Sequence, residues 1–238
     1  MGERESYAPG TFCWAELGTT DVEAATAFYT DVFGWDAEAD RFRLDGHDVA
    51  GVEEADETRW RSRLAVEDVD ALVERVRELG GEVLAGPLDV EQAGRMAAVA
   101  DPTGAAVELW QGREQAGAAR VNEVGHMVWN ELASPDPGRA REFYGALLGW
   151  EVEPEETGYG VIRREGTPNG GIRPQQDHEP AHWLVYFTVS SCDDAVAAVR
   201  SGGGSVITGP LDTQTGRVAA VRDPQGAAFA LFEGDVDP

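Results

Sequence analysis

Lysine is missing from all 238 residues; the 19 basic side chains are all arginine. They face 44 acidic ones, which leaves a formal net charge of −25. A surface that negative repels phosphate backbones and anionic headgroups, so nucleic acid and acidic membranes are excluded as expected partners. Arginine-only usage fits GC-rich coding, and the acidic excess fits a surface kept hydrated at high salt. Neither points to a cationic ligand. Cysteine is scarce. Cys13 and Cys192 fall at non-equivalent places in the two halves, so no disulfide framework is implied, and both are expected to be reduced in a cytoplasm. No apolar run approaches the ~20 residues of a membrane helix. The opening MGERESYAPG lacks the apolar centre of a secretion signal, and a cytoplasmic protein is expected. His47, His126, His178 and His182 show no His-x-His or HExxH spacing. Phosphate loops, CxxC pairs and a base beside either cysteine are also missing.

The sequence does contain a duplication. AFYTDVFGW at 27–35 returns as EFYGALLGW at 142–150, GPLD at 86–89 returns at 209–212, and DPTGAA at 101–106 returns as DPQGAA at 223–228. Order and spacing survive across the chain, which reads as two domains, 8–112 and 122–235, joined by a polar Gly/Ala-rich linker at 113–121.

Each half opens on an extended apolar stretch, TFCWAEL (11–17) or HMVWNEL (126–132). Asp21 and Asp136 are good N-caps for the helix that follows, Pro137 suits a first helical position, and Gly34 and Gly149 suit C-terminal caps. Val22, Ala25, Phe28, Tyr29, Val32 and Phe33 fall at amphipathic helical spacing. Short strands are predicted around 41–52 and 158–164. A looser copy follows in each half: strands at 61–66 and 184–189, helices at 68–81 and 193–204, then three strands. The prediction is strand–helix–three strands, four times over, in the α+β class.

These motifs resemble the vicinal oxygen chelate superfamily of glyoxalase I, bleomycin-resistance proteins and extradiol dioxygenases. The carrying residues are DVEAATAFYTDVFGW (21–35), its copy at 136–150, and the DPxGAA that opens each half's last strand. The pattern W-x-E-L, helix, F-Y-x-x-x-x-G-W is similar to tandem glyoxalase-like proteins. The resemblance implies βαβββ modules that pair into curled mixed sheets around clefts. It also implies where catalytic members hold a divalent metal: on the first strand, on the strand opening the second module, and on the last strand. Here those positions carry Trp14 and Trp129, a place near Arg61 and Leu184, and Glu108 and Ala230. One carboxylate in six is not a metal site, and no metal or other cofactor is expected.

Strand alternation puts Trp14, Glu16, Arg61, Arg63, Glu108 and Trp110 on the cleft face of the first half. Trp129, Glu131, Leu184, Tyr186, Thr188, Ala230 and Phe232 take that face in the second. Aromatic walls with few polar groups suit a planar or hydrophobic small molecule. The candidate ligand-binding residues are Trp14, Glu16, Arg63, Glu108, Trp110, Trp129, Glu131 and Tyr186. Two readings of each tryptophan stay open, pocket lining and core plug. Glu16 and Glu131 are either halves of internal ion pairs, with Arg63, Arg95 or Arg217 as partner, or general bases. The functional expectation is a metal-free small-molecule-binding protein, monomer or homodimer. The alternatives are a glyoxalase- or dioxygenase-type enzyme and a structural or signalling protein with filled clefts.

Overall fold

In a computed structural model the described residues run from 4 to 235. The first half comprises β1 (Phe12–Thr19), α1 (Val22–Phe33), β2 (Asp36–Glu38), β3 (Arg41–Leu44), β4 (His47–Glu54), β5 (Arg59–Ala65), α2 (Val69–Glu78), β6 (Glu82–Val90), β7 (Gly94–Ala100) and β8 (Ala106–Gly112). The second repeats the order as β9 (Met127–Ser134), α3 (Pro137–Leu148), β10 (Glu151–Pro154), β11 (Gly160–Arg164), β12 (Thr167–Pro174), β13 (His182–Thr188), α4 (Cys192–Ser201), β14 (Ser205–Asp212), β15 (Gly216–Arg222) and β16 (Ala228–Gly234). Each half makes one eight-stranded open sheet, in the orders β2-β3-β4-β1-β5-β8-β7-β6 and β10-β11-β12-β9-β13-β16-β15-β14. These are the four expected modules: an α+β fold of two domains with mixed sheets.

The predicted caps operate. Asp21 accepts the N–H of Ala24 at 3.0 Å and Asp136 that of Arg139 at 3.0 Å. Gly34 (φ 73°) and Gly149 (φ 71°) end their helices in the left-handed region, which glycine enters without steric cost. The strands foreseen at 41–52 and 158–164 leave out β2, β10 and β12. β12 reads TPNGGIRP, a turn-like string, yet it pairs parallel to β9 and supplies a residue of the second domain's site.

The helix-bearing faces of the two sheets pack on each other and share one core. Phe187 of β13 reaches Trp35 and Trp60 of the first half at ring separations of 5.1 Å each, and Phe12 meets Trp183 at 5.0 Å. Polar groups in this layer are matched across the halves. Trp60 Nε1 donates to Tyr29 Oη at 2.9 Å, and Tyr29 donates to Asp223 Oδ2 of the other half at 3.0 Å. Trp183 Nε1 donates likewise to Tyr144 at 3.0 Å. Ser62 Oγ donates to Asn130 Oδ1 at 2.6 Å. The segment after β8 is no loose tether. Ala118 N donates to Cys13 O at 2.8 Å and Tyr7 Oη to Ala118 O at 2.7 Å, which presses it across the end of the first sheet.

Because the core is shared, the halves should unfold together. Phe187→Ala, which opens a cavity among rings from both, should cost about 3–5 kcal/mol. Urea unfolding followed by fluorescence and by far-UV circular dichroism should still give one coincident transition. Two separated transitions in the unmodified protein would contradict a shared core.

Candidate functional site

With the helices on one side, the opposite face of each sheet carries the inward-pointing carboxylates. In the first domain the register sets Trp14 opposite Arg63, Glu16 opposite Arg61, and Arg63 beside Glu108. The residue in line with Trp14 and Glu108 is therefore Arg63, not Arg61. Likewise Tyr186, not Leu184, lies in line with Trp129 and Ala230.

Arg63 is the centre of the first site. Its guanidinium bonds Glu16 Oε2 at 2.9 Å and Glu108 Oε2 at 2.5 Å and lies over the Trp110 ring at 5.2 Å. Trp14 Nε1 donates to Glu16 Oε2 at 2.9 Å, and Arg61 Nε is 3.1 Å from Glu108 Oε1. Burial pushes the Glu16 carboxyl above its usual range, against the pull of Arg63 and the Trp14 N–H. Burial alone would depress the Arg63 guanidinium, but Glu108 and Glu16 raise it further than burial lowers it. Gly51 faces Glu16 because a Cβ there would strike the carboxylate.

This site is filled. Trp14 and Trp110 are each 2% exposed. Arg41 covers the Trp14 ring at 5.4 Å and donates to Gln115 Oε1 at 3.0 Å, while Trp110 Nε1 donates to Gln115 O at 2.9 Å. The segment following β8 thus closes one end of the face.

The second domain keeps the tryptophan and the glutamate but differs around them. Trp129, Tyr159, Tyr186 and Phe232 are half-buried, so their rings reach solvent. Glu131 is buried and bonds Arg173 Nε at 2.7 Å; Arg173 in turn bonds Glu179 through both terminal nitrogens, at 2.7 and 2.6 Å. Trp129 Nε1 donates to Tyr159 Oη at 3.2 Å. The Tyr159 and Tyr186 hydroxyls are pushed far above their ordinary value, by burial first and then by the charge of Glu131. Gly171 leaves room here for the Tyr159 hydroxyl, as Gly51 does for Glu16.

Of the arginines expected to pair with these carboxylates, Arg63 does so. Arg95 and Arg217 do not: each turns to the helix side, Arg95 to Asp70 at 2.7 Å and Arg217 to Asp193 at 3.0 Å. The partner of Glu131 is Arg173. It lies two residues beyond Gly171, which stands in register with Glu131. Tyr159, immediately before β11, was also unforeseen as a site residue. The signal for both was the strand hidden in TPNGGIRP.

A divalent metal does not suit either site. In the first, the carboxylates that would ligate it are both engaged by Arg63, whose positive charge sits between them. In the second, one carboxylate faces two neutral hydroxyls and an arginine. Among the described residues no group of three or more His, Cys, Asp or Glu side chains is placed to hold a metal ion.

A family profile described as Glyoxalase/Bleomycin resistance protein/Dioxygenase superfamily matches residues 11–109, and one described as Glyoxalase-like domain matches 126–232. A Mycobacterium tuberculosis protein named "Putative glyoxylase CFP32" is 38% identical, with 98% of each chain covered. The chain belongs to the glyoxalase/bleomycin-resistance/dioxygenase superfamily. A Streptomyces sp. relative named "Anthracycline biosynthesis protein DauV" is 35% identical over 95% of this chain and 94% of its own. Solved structures share the fold. A Mn(II)-bound glyoxalase from Novosphingobium aromaticivorans superposes with a TM-score of 0.68 at 20% identity, covering 100% of this chain and 86% of its own. An extradiol ring-cleaving dioxygenase from B. fuscum gives 0.68 at 20%, covering 99% and 76%.

Two predictions follow from the ion pairs of this superfamily member. Arg63→Met strands two buried carboxylates and should destabilise by about 3–5 kcal/mol, while adding Glu16→Gln and Glu108→Gln should recover most of that loss. Urea melts of the single and triple variants decide it, and equal losses would show that the pairing is energetically idle. Glu179 is held below its usual pKa because Arg173 and the Gln176 N–H outweigh its burial. A depressed carboxylate stabilises above its unfolded pKa and loses that stabilisation as pH falls through its folded pKa. The melting-temperature gap between the parent and Glu179→Gln should therefore be present at pH 7 and close below about pH 4. A gap that stays constant with pH would contradict the pairing.

Proposed function

We propose that the chain is a metal-free small-molecule-binding protein of the glyoxalase/bleomycin-resistance type, with its ligand on the inner face of the second domain. The carrying observation is the contrast between the domains. Where the first places Trp14, Arg63 and Trp110 in a packed, covered cluster, the second presents Trp129, Tyr159, Tyr186 and Phe232 half-open around one buried carboxylate. The first domain is the scaffold half and the second carries the site.

The wall chemistry favours a planar, fused-ring ligand. Stacking on an indole or phenol adds ~0.5–1.5 kcal/mol beyond area burial, and buried apolar area adds ~25 cal/mol per Å². The Glu131–Arg173 pair and the two tyrosine hydroxyls offer acceptors and donors that fix orientation. Relatives at 35% identity whose names place them in anthracycline biosynthesis support a polycyclic aromatic ligand. A metal-dependent lyase or dioxygenase reaction is the poorer fit, because the donor set of neither face suits the ion.

The test uses quinizarin, a planar dihydroxyanthraquinone, titrated while tryptophan fluorescence is followed. Trp129→Ala should weaken binding ~10–100-fold, at ~1.4 kcal/mol per decade. Trp14→Phe should leave it unchanged if the fold is kept. The reverse pattern would move the site to the first domain, and no binding at all would refute the proposal.

A further inference from the structure

The two inner faces have opposite hydrogen-bonding character at their centres. In the first domain Arg63 stands in line with Trp14 and Glu108, and Glu53 lies two residues beyond Gly51 on β4. In the second, Tyr186 holds the place of Arg63, and Arg173 holds that of Glu53. The cation is central on one face and at the flank of the other. A guanidinium with five N–H donors and no acceptor thus corresponds to a single phenol hydroxyl, which has lone pairs to offer.

The protons around Glu131 are already committed. Arg173 Nε donates to Glu131 Oε1 at 2.7 Å, and the Tyr159 and Tyr186 hydroxyls both hydrogen-bond the same carboxylate. A carboxylate only accepts, so each tyrosine uses its one proton there. Tyr159 Oη also accepts the Trp129 N–H at 3.2 Å. Tyr186 Oη accepts no such bond from any described residue. Tyr186 is half-buried and stands directly opposite Trp129 in the strand register, so a molecule lying on that indole comes up against it. What the cluster still offers is acceptor capacity.

The charges near it disfavour an anion. Glu131 and Glu179 share the one cation, Arg173, and Glu155 adds negative charge beside Tyr159. His182 stands farther out, with Nε2 3.8 Å from Glu179.

We propose that the ligand of the second domain presents a neutral ring hydroxyl to Tyr186 Oη, which accepts a hydrogen bond from it. The inference rests on the reading that the ligand's rings lie against Trp129. The protein supplies the acceptor and the ligand the donor. A methyl ether at that ring position has no proton to give, and an ionised phenolate meets both a lone pair and net negative charge. Either leaves polar groups unmatched, which is how such a site rejects close analogues.

The experiment compares 2-hydroxyanthraquinone with 2-methoxyanthraquinone, which keeps the rings and loses the donor. The parent protein should bind the phenol about five- to tenfold more tightly than the ether at a pH where the free phenol is un-ionised. Tyr186→Phe keeps the ring and removes the acceptor, and should bring that ratio close to one. Trp129→Ala should weaken both probes. The parent protein gives a second reading that needs no variant. The visible absorbance change that marks ionisation of the phenol should occur about one pH unit higher for the bound probe than for the free one, because the neutral form binds about tenfold more tightly. Equal affinity for the two probes, a preference that survives Tyr186→Phe, or ionisation at unchanged or lower pH overturns the ring hydroxyl. The aromatic site still stands in those cases if Trp129→Ala weakens both probes. Failure of both probes to bind overturns the two readings together.

Discussion

A carboxylate on the inner face of a sheet cannot stay charged among packed rings without a cation beside it. The arrangement of both domains follows from how that demand is met. Arg63 meets it in the first, standing between Glu16 and Glu108 with Trp110 beneath and Trp14 alongside. Such a cluster is packed, and its charges are paired within the domain. Arg173 meets it in the second, but from the flank, because it comes from β12 and is itself drawn outward to Glu179. The centre of the second face is left to aromatic rings.

Duplication followed by divergence explains the distribution of these parts. The helix-bearing faces stayed symmetric: Trp60 on Tyr29 repeats as Trp183 on Tyr144, and both Gly34 and Gly149 cap in the left-handed region. That layer joins the halves, so changing one side alone would break contacts in both. The inner-face ion pairs described above each join residues of one domain. Arg63 corresponds to Tyr186, Glu108 to Ala230 and Trp110 to Phe232, all along one register.

Much of this was legible in the sequence. The repeats, the caps and the FYxxxxGW core motif gave the two-domain fold, since each rests on local chemistry. The inner-face residues from Trp14 to Tyr186 followed from strand alternation once β1, β5 and β8 were placed. What stayed hidden depended on pairing between distant strands. TPNGGIRP reads as a turn because its prolines and glycines oppose strand propensity, and the parallel neighbour β9 overrides them. With β12 unseen, Arg173 could not be set beside Glu131, and Arg217 looked equally suitable. The exposure of Trp129 against the burial of Trp14 was also illegible, because the two occupy identical sequence positions. Arg41 covers Trp14 and is tied to Gln115, whereas the neighbour bonded to Trp129 is the Tyr159 hydroxyl.

The central claim is that the site lies in one domain and not the other. Hydrogen–deuterium exchange with and without quinizarin tests it most directly. The account predicts added protection in β9, β12 and β13 and none in β1, β5 or β8. Protection centred on the strands around Arg63 would contradict it.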